Sequence, residues 1–430
     1  MKKKITILTI LLIQSISSFS QEMTFIDTVS FYFQEIQNNT NQHKDLWGID
    51  LYGPILLVNP ITRQTYANEP DSAGVLKPEG KIFTGQLPKR INIANTAINW
   101  NGKLWAMIML PLSDNKQKRL DLLSHELFHC SQPVLGFNMK NLDNVHLDQK
   151  DGRMYLRLEL EALRQALLAK SIDDTKSHLT NAIIFRKYRY TIYPEAAVRE
   201  NLLELNEGLA TYTGIIMCGR NDSEIKKAMQ ESLADFLQCP TFVRSFPYQT
   251  TPFYGYILSK SMKHWNKQIN ENSNLIDYFV AAFDLSIPKD LAIAIAQISN
   301  QYDGEIIFAE ETARELKTKQ RVDAYKIRFI DSPHLVIYFG KMNISFNPNN
   351  IMPLEENGTV YPTLRVSDNW GVLTVTEDAL LGANWEKVTV SEPITISTEK
   401  VAGNGWTLDL NKGYFVEKDS VSGNYNLKKE

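Results

Sequence analysis

Residues 122–133 read LLSHELFHCSQP and place two histidines and a glutamate inside a run with helical spacing. On a helix that turns by about 100° per residue, His129 lies only about 40° from His125, on the same face. The opposite face carries Leu120, Leu123, Leu127 and Cys130. The segment therefore predicts a helix at 119–131 whose back is apolar and whose front is rich in metal-binding side chains.

The polar front of this helix has the HExxH pattern, formed by His125, Glu126 and His129. Two imidazoles one turn apart can bind the same metal ion, and the glutamate between them projects from the adjacent strip of the helix. From there Glu126 can accept a proton from a water molecule at the metal. The pattern predicts a Zn²⁺ site with Glu126 as a general base, and two surface histidines on an ordinary helix are the alternative.

Two histidines do not complete a zinc site, because catalytic zinc takes three protein ligands and keeps the fourth position for water or substrate. A predicted helix at 195–217 carries Glu200, Glu204 and Glu207 in one stripe, where three carboxylates need a cation or arginines to offset their repulsion. A predicted helix at 152–170 carries Glu159 inside an apolar arc, where a carboxylate also needs a partner. The residues alone leave both helices open as the source of the third ligand.

HELFH at 125–129, followed by LNEGLATY at 205–212, resembles the gluzincin zinc metallopeptidases, the thermolysin and aminopeptidase N superfamily. The resemblance covers two short blocks. It implies that His125, His129 and Glu207 bind Zn²⁺ and that Glu126 is the catalytic base. It also implies that a downstream tyrosine, for which Tyr248 is the candidate, stabilises the oxyanion, although ordinary packing explains that tyrosine equally well.

The chain also departs from that family. Glu207 follows His129 by 78 residues, which is longer than in typical members, and Thr211 stands where an acidic residue is common. The sequence has no GAMEN-like motif for binding a substrate amino terminus. With Glu207 as the ligand, we expect Glu159 to accept a hydrogen bond from a ligating histidine or to pair with one of three arginines, Arg157, Arg164 or Arg186. The resemblance further implies an edge strand beside the zinc, for which the predicted strand at 103–111 is the candidate, and an ordinary buried strand is the alternative.

The beginning of the chain predicts an exported protein. A lysine-rich start, an apolar run at 5–13 and small residues before position 21 are typical of a signal peptide over residues 1–20. No segment has eighteen uninterrupted apolar residues, so no membrane span is expected. A net charge of -3 excludes the basic field that nucleic-acid binding needs. We therefore expect a periplasmic or secreted protein that acts on a peptide or protein substrate and binds no nucleic acid.

The pattern of the whole chain predicts an α+β fold. A mixed α/β part at 21–118 has a predicted helix at 25–38 and short strands at 54–60, 81–88 and 103–111. A mainly helical part at 119–328 completes an expected zincin-like catalytic unit at 21–328. From residue 329 to residue 430, short β-branched runs separated by Gly and Asn predict a small all-β domain. Further helices are expected at 223–237, 252–267 and 309–327.

The best prediction from these residues is an exported zinc metallopeptidase. Two alternatives stay open: a non-catalytic protein- or glycan-binding protein on a zincin scaffold, and a zinc hydrolase of a non-peptide bond. The intact Glu126 argues against the first, because a binding protein has no use for a general base. The same three ligands suit the second equally well.

Overall fold

The computed structural model describes residues 24–88, 91–137, 142–346 and 351–430. It confirms the predicted α+β class, with helices in the middle of the chain and β-sheets towards its C-terminal end. The predicted signal peptide at 1–20 lies outside the described residues. Among the helices of the described ranges, none is both long and apolar enough to cross a membrane.

The N-terminal part begins with helix α1 (Phe25–His43), whose first turn is closed by a capping box between Thr24 and Asp27. Six strands follow: β1 (Ile55–Val58), β2 (Gln64–Ala67), β3 (Lys77–Glu79), β4 (Ile82–Gln86), β5 (Thr96–Trp100) and β6 (Lys103–Met109). They form one sheet in the order β3-β4-β2-β1-β6-β5, in which only β1 and β6 pair in parallel. Strand β6 therefore has a neighbour on both sides. The expectation that it is an edge strand is wrong, because the hairpin brings β5 to that edge.

The helical part runs from residue 116 to residue 326. Its helices are α2 (Lys116–Ser131), α3 (Lys150–Leu168), α4 (Ile172–Ile192), α5 (Ala196–Leu203), α6 (Leu209–Met217), α7 (Asp222–Leu237), α8 (Pro247–Ser259), α9 (Leu275–Ala282), α10 (Leu291–Ile298) and α11 (Gly304–Lys326). Short 3₁₀ turns lie at Val145–Asp148, Trp265–Gln268 and Ser299–Tyr302. A π-helical turn at Glu204–Gly208 joins α5 to α6, and a second one at Ile327–Asp331 follows α11.

Helix α4 is absent from the sequence-based expectations, and its buried face explains why. Besides Leu179 and Ile183, that face buries Arg186 and Arg189, so no continuous apolar stripe marks the helix. The signal that was available is the N-cap, where the Ser171 hydroxyl accepts a hydrogen bond from the backbone N–H of Asp174.

The C-terminal part contains two further sheets. Their strands are β7 (His334–Tyr338), β8 (Asn343–Phe346), β9 (Met352–Pro353), β10 (Thr359–Tyr361), β11 (Leu364–Asp368), β12 (Gly371–Val375), β13 (Ala379–Leu381), β14 (Lys387–Ser391), β15 (Pro393–Ile396), β16 (Lys400–Gly403), β17 (Trp406–Leu410), β18 (Tyr414–Lys418) and β19 (Tyr425–Lys429), with a 3₁₀ turn at Glu355–Asn357. One sheet has the order β18-β19-β7-β14-β13-β10-β9 and the other β15-β16-β17-β12-β11-β8. Buried side chains of both sheets, such as Leu335, Val390, Val366 and Leu373, belong to one apolar core. The two sheets therefore pack face to face.

The chain divides into two compact units. The first comprises Met1–Leu142, Arg199–Gln230 and Pro247–Asp284, and the second comprises Asp143–Val198, Glu231–Phe246 and Leu285–Glu430. In the first unit, α2 packs on β5 and β6 and also on α6, and α6 packs on α8. The apolar back of α2, which includes Leu123 and Leu127, is buried as its spacing predicts. The polar front of α2 is thereby held in a fixed orientation next to α6.

Candidate metal centre

Helix α2 carries three of the predicted site residues on its polar front. The Asn115 side chain caps the helix by accepting from the backbone N–H of Lys118, and the helix ends with Gln132 as its C-cap. His125 and His129 lie one turn apart, and their Nε2 atoms are 3.1 Å from each other. The two rings are nearly perpendicular, with centroids 4.8 Å apart. Both imidazoles therefore direct a nitrogen to the same point.

Glu207 reaches that point from the π-helical turn at Glu204–Gly208. Its Oε2 atom lies 3.6 Å from Nε2 of His125 and 3.4 Å from Nε2 of His129. The π turn brings its backbone close to α8, since a Cβ atom added to Gly208 would lie only 2.2 Å from the hydroxyl oxygen of Thr251. Gly208 is therefore needed for this close approach, and π-helical turns of this kind occur frequently at functional sites.

The three donor atoms have the separations that a tetrahedral zinc site requires. With zinc–ligand bonds of about 2.0–2.1 Å and tetrahedral angles, two ligand atoms lie about 3.3 Å apart. The observed distances between the two Nε2 atoms and Oε2 of Glu207 are 3.1, 3.4 and 3.6 Å. Among the residues that the structure describes, His125, His129 and Glu207 form the group of His, Cys, Asp or Glu side chains that could hold a metal ion.

The ring nitrogens on the far side of each histidine have hydrogen-bond partners. Nδ1 of His129 is 2.9 Å from Oε1 of Gln132, whose Nε2 donates to the backbone carbonyl of Asn206. Nδ1 of His125 is 3.4 Å from the hydroxyl of Thr211, which itself donates to the carbonyl of Glu207. With both Nδ1 atoms protonated, the lone pairs of the two Nε2 atoms face one another and the carboxylate. That arrangement calls for a positive charge at its centre, supplied by a metal ion or by a proton on one ring.

Glu126 is buried beside this centre. Only 4% of its surface is exposed, and its Oε2 atom has no hydrogen-bond partner among the described residues. Burial raises the pKa of the Glu126 carboxyl group, an effect that His125 and His129 partly offset and Glu207 reinforces. A buried carboxylate oxygen without a partner is costly, so such an atom is expected where it serves a ligand, a water molecule or a reacting group.

The charges of the site favour a deprotonated Glu207. Burial raises the pKa of its carboxyl group, but the imidazoles of His125 and His129, when they are protonated, and the hydrogen bond from Tyr248 outweigh burial and hold the pKa well below its usual range. Burial lowers the pKa of His129, but the protonated ring gains a hydrogen bond to Glu207 and the attraction of its charge, so the net effect is a raised pKa. Cys130 plays no part in this charge balance, because burial raises the pKa of its thiol to about 12 and keeps it neutral.

Tyr248 also lies at the site, in the first turn of α8. Its hydroxyl donates a hydrogen bond of 2.7 Å to Oε2 of Glu207, and its ring is stacked on that of His125 with centroids 5.8 Å apart. In this structure the hydroxyl therefore orients the carboxylate. The predicted role at an oxyanion requires the hydroxyl to exchange this hydrogen bond for one to substrate.

Glu159, the rival for the third ligand, has other partners. It is fully buried, and its two oxygens accept from Nε of Arg186 at 2.6 Å and from Nη2 of Arg189 at 3.0 Å. The expected partner Arg186 is thus the one observed, whereas Arg157 pairs with Glu310 and Glu311, and Arg164 pairs with Glu161. The carboxylate in the arc of α3 is balanced by two arginines of α4.

Sequence reasoning did not assign a role to Gln132, Asn206 or Thr211. Gln132 lies three residues after His129 and Thr211 lies four residues after Glu207, so each faces the same side as a ligand. That spacing is the sequence signal that could have identified Gln132 and Thr211 as side chains that orient the ligands. The π-helical turn that aims Glu207 has no comparable signature in the sequence.

No family model matches the chain, and no curated protein or solved structure is significantly similar to it.

Proposed function

We propose that this protein is a zinc-dependent metallopeptidase that hydrolyses peptide bonds. The observation that carries the proposal is the convergence of two Nε2 atoms and Oε2 of Glu207 within 3.1–3.6 Å, beside the buried and unpartnered Oε2 of Glu126. Three ligands and a base at one point are the parts that a metal-assisted hydrolysis needs.

The surroundings of the site support a zincin-like arrangement, which is part of the proposal. A mixed sheet lies on one side of α2, and the helical segment that carries Glu207 lies on another. This agrees with the resemblance of HELFH and LNEGLATY to the gluzincin peptidases. We also propose export to the periplasm or the exterior, on the strength of the signal-peptide pattern at residues 1–20.

His125, His129 and Glu207 would hold the zinc ion. When bound there, zinc supplies Lewis acidity, which polarises a carbonyl group and lowers the pKa of a water molecule in the open position. Glu126 accepts the proton of the attacking water and passes it to the nitrogen of the leaving amine. Burial raises the pKa of the Glu126 carboxyl group in the metal-free protein, which is the direction that suits a group that takes up a proton and then releases it.

The hydroxyl of Tyr248 has two roles in this scheme. In the first, its hydroxyl orients Glu207, as its 2.7 Å hydrogen bond requires. In the second, the hydroxyl turns to the substrate and stabilises the negative charge that develops on the carbonyl oxygen. The tyrosine is 38% exposed, so a substrate can reach its ring edge.

The test combines metal analysis with digestion of a peptide library. The wild-type protein should hold about one zinc ion per chain, and Glu126→Gln should keep the metal while activity falls by about two to four orders of magnitude. Glu161→Gln is a matched control, because that glutamate pairs with Arg164 on α3 and should keep full activity.

Three outcomes would contradict parts of the proposal. A chain that binds no zinc removes the metal centre. Full activity of Glu126→Gln removes Glu126 from the reaction. A zinc-loaded chain that cleaves no peptide leaves the two alternatives, a hydrolase of another bond or a binding protein, and the peptidase assignment is then wrong.

A further inference from the structure

We propose that Gln132 and Thr211 are positioning residues that fix the tautomer of the two histidines, and that their lack of charge leaves zinc more weakly held than carboxylate partners would. This inference rests on the proposed function, since it concerns the same centre. It goes beyond that function by assigning positioning roles to two residues that are not ligands, and by predicting the histidine tautomers of the metal-free protein.

The orientation of the Gln132 amide is settled by its second partner. Its Nε2 atom lies 3.1 Å from the backbone carbonyl of Asn206, a group that only accepts hydrogen bonds. The amide oxygen must therefore face Nδ1 of His129, at 2.9 Å. An amide oxygen cannot donate, so the proton of His129 resides on Nδ1 and the lone pair resides on Nε2.

Thr211 fixes His125 by the same reasoning. Its hydroxyl has one proton, which is donated to the carbonyl of Glu207 at 2.9 Å. The remaining lone pairs of the hydroxyl are available to Nδ1 of His125 at 3.4 Å, which makes Nδ1 the donor. Both imidazoles are thus held with Nε2 unprotonated and directed at the centre, which is the form that binds a metal ion.

Gln132 also links the two segments that carry the ligands. It is the C-cap of α2 and is 94% buried, and its bond to Asn206 reaches the residue immediately before Glu207. A change at Gln132 therefore acts on both the ring of His129 and the position of Glu207. Thr211 has a similar double contact, with the ring of His125 and the backbone of Glu207.

Neither partner carries a charge. Metal-binding histidines often donate to a carboxylate, which makes the imidazole a stronger donor and adds negative charge near the metal. Among the described residues, Asp121 also interacts with His125, and its carboxylate is paired with Arg220 at 2.8 Å. The centre thus depends on Glu207 and Glu126 for its negative charge, and one added carboxylate should increase zinc affinity.

The experiment measures zinc dissociation constants by competition with a chromophoric chelator, and histidine tautomers by ¹⁵N NMR of the zinc-free protein. Gln132→Ala and Thr211→Ala should each bind zinc about 10- to 100-fold more weakly. Thr211→Asp should bind zinc more tightly than the wild type, by about tenfold. In the zinc-free protein, at a pH where the rings are neutral, His129 should carry its proton on Nδ1, and Gln132→Ala should show a mixture of tautomers.

Thr213→Ala is the matched control for Thr211→Ala. Thr213 is on the same helix, and its hydroxyl also donates to a carbonyl four residues earlier, that of Leu209. Its other contact is with the indole N–H of Trp47 and not with a histidine. Thr213→Ala should therefore lose stability without losing zinc affinity. Ser131→Ala serves in the same way for Gln132→Ala, because the Ser131 hydroxyl bonds only to the Leu127 carbonyl among the described contacts.

The results separate this inference from the proposed function. The positioning roles are wrong if Thr211→Ala and Gln132→Ala bind zinc as tightly as their controls, Thr213→Ala and Ser131→Ala. This holds even if the wild-type protein is an active zinc enzyme. Weaker or unchanged binding by a folded Thr211→Asp overturns the argument from charge. If the wild-type protein binds no zinc, the proposed function fails, and the tautomer of His129 still decides whether Gln132 positions the ring.

Discussion

Replacement of two glutamates, Glu207 and Glu159, by glutamine should give opposite results in the same two measurements. Both side chains are potential zinc ligands by sequence, and the structure gives them different surroundings. Glu207 faces two imidazoles and a tyrosine hydroxyl. Glu159 is fully buried between the guanidinium groups of Arg186 and Arg189. We therefore expect Glu207→Gln to lose zinc and keep its fold, and Glu159→Gln to keep zinc and lose stability.

Glu159→Gln should lower the free energy of unfolding, because it removes the carboxylate that pairs with Arg186 and Arg189. All three side chains have 0% exposure, so removal of the carboxylate takes a counter-charge away from two buried positive charges. Breaking a buried ion pair in this way costs about 3–5 kcal/mol. Glutamine keeps the shape and one carbonyl acceptor, so we expect a value near the lower end, about 3 kcal/mol. In a unit of this size that lowers the thermal midpoint on the order of 10 °C.

Glu207→Gln should lower the zinc affinity of the protein and not the stability of its fold. A glutamine at this position offers a neutral oxygen in place of a carboxylate, and it no longer offsets the charge of zinc held by two neutral imidazoles. Loss of an outer partner of a ligand weakens metal binding by about 10- to 100-fold, and loss of the ligand itself should exceed that range. The protein should then be purified without stoichiometric zinc.

The assay is zinc content at controlled free metal, together with thermal unfolding followed by circular dichroism. Glu161→Gln is the control for a change of charge on α3, because its partner Arg164 is partly exposed. The reasoning is refuted if Glu159→Gln is folded but empty while Glu207→Gln stays loaded. In that case α3 supplies the third ligand, and the observed pairing of Glu159 with the two arginines does not represent the zinc-bound protein.

Three further predictions concern the site and the C-terminal part of the chain. Gly208→Ala should lower both the thermal midpoint and zinc affinity, because its Cβ atom would lie 2.2 Å from the Thr251 hydroxyl; zinc titration and unfolding curves that match the wild type would contradict this. Truncation after Arg328 should give an aggregating chain, since it removes Phe329 and the strand residues that share its buried apolar cluster; size-exclusion chromatography checks this, and a soluble monomer would speak against it. Zinc affinity should fall by about tenfold per pH unit once the pH drops below the raised pKa of His129, because the proton then competes with the metal; a pH-independent dissociation constant would rule this out.

That His125 and His129 lie together on one face of α2 could be predicted from the sequence, because the signals are local. The leucines behind HELFH fix which face of α2 is buried, and the histidine spacing fixes which atoms can meet. Residue patterns alone could not show which of Glu207 and Glu159 lies beside the two histidines, because both are carboxylates on predicted helices. What separates them is the identity of their partners, and those partners come from other parts of the chain.

The features that the sequence did not predict depend on long-range packing. The π-helical turn aims Glu207, and it exists where Gly208 meets Thr251 of α8. Helix α4 is concealed by Arg186 and Arg189, whose buried charges pair with Glu159 of α3. The residue pattern of one segment does not predict either interaction, because each interaction joins two different segments of the chain.

The long gap between the two halves of the candidate motif has a structural explanation. His129 and Glu207 are 78 residues apart in the chain, yet both belong to the first compact unit. Most of the intervening chain, Asp143–Val198, belongs to the second unit and forms α3 and α4, which pack on each other through their own buried faces. A segment that folds as part of another unit does not fix the distance between His129 and Glu207 in space. The length of such an insertion can therefore vary without a change in the geometry of His125, His129 and Glu207, and so the spacing along the sequence is a weak argument against a shared metal site.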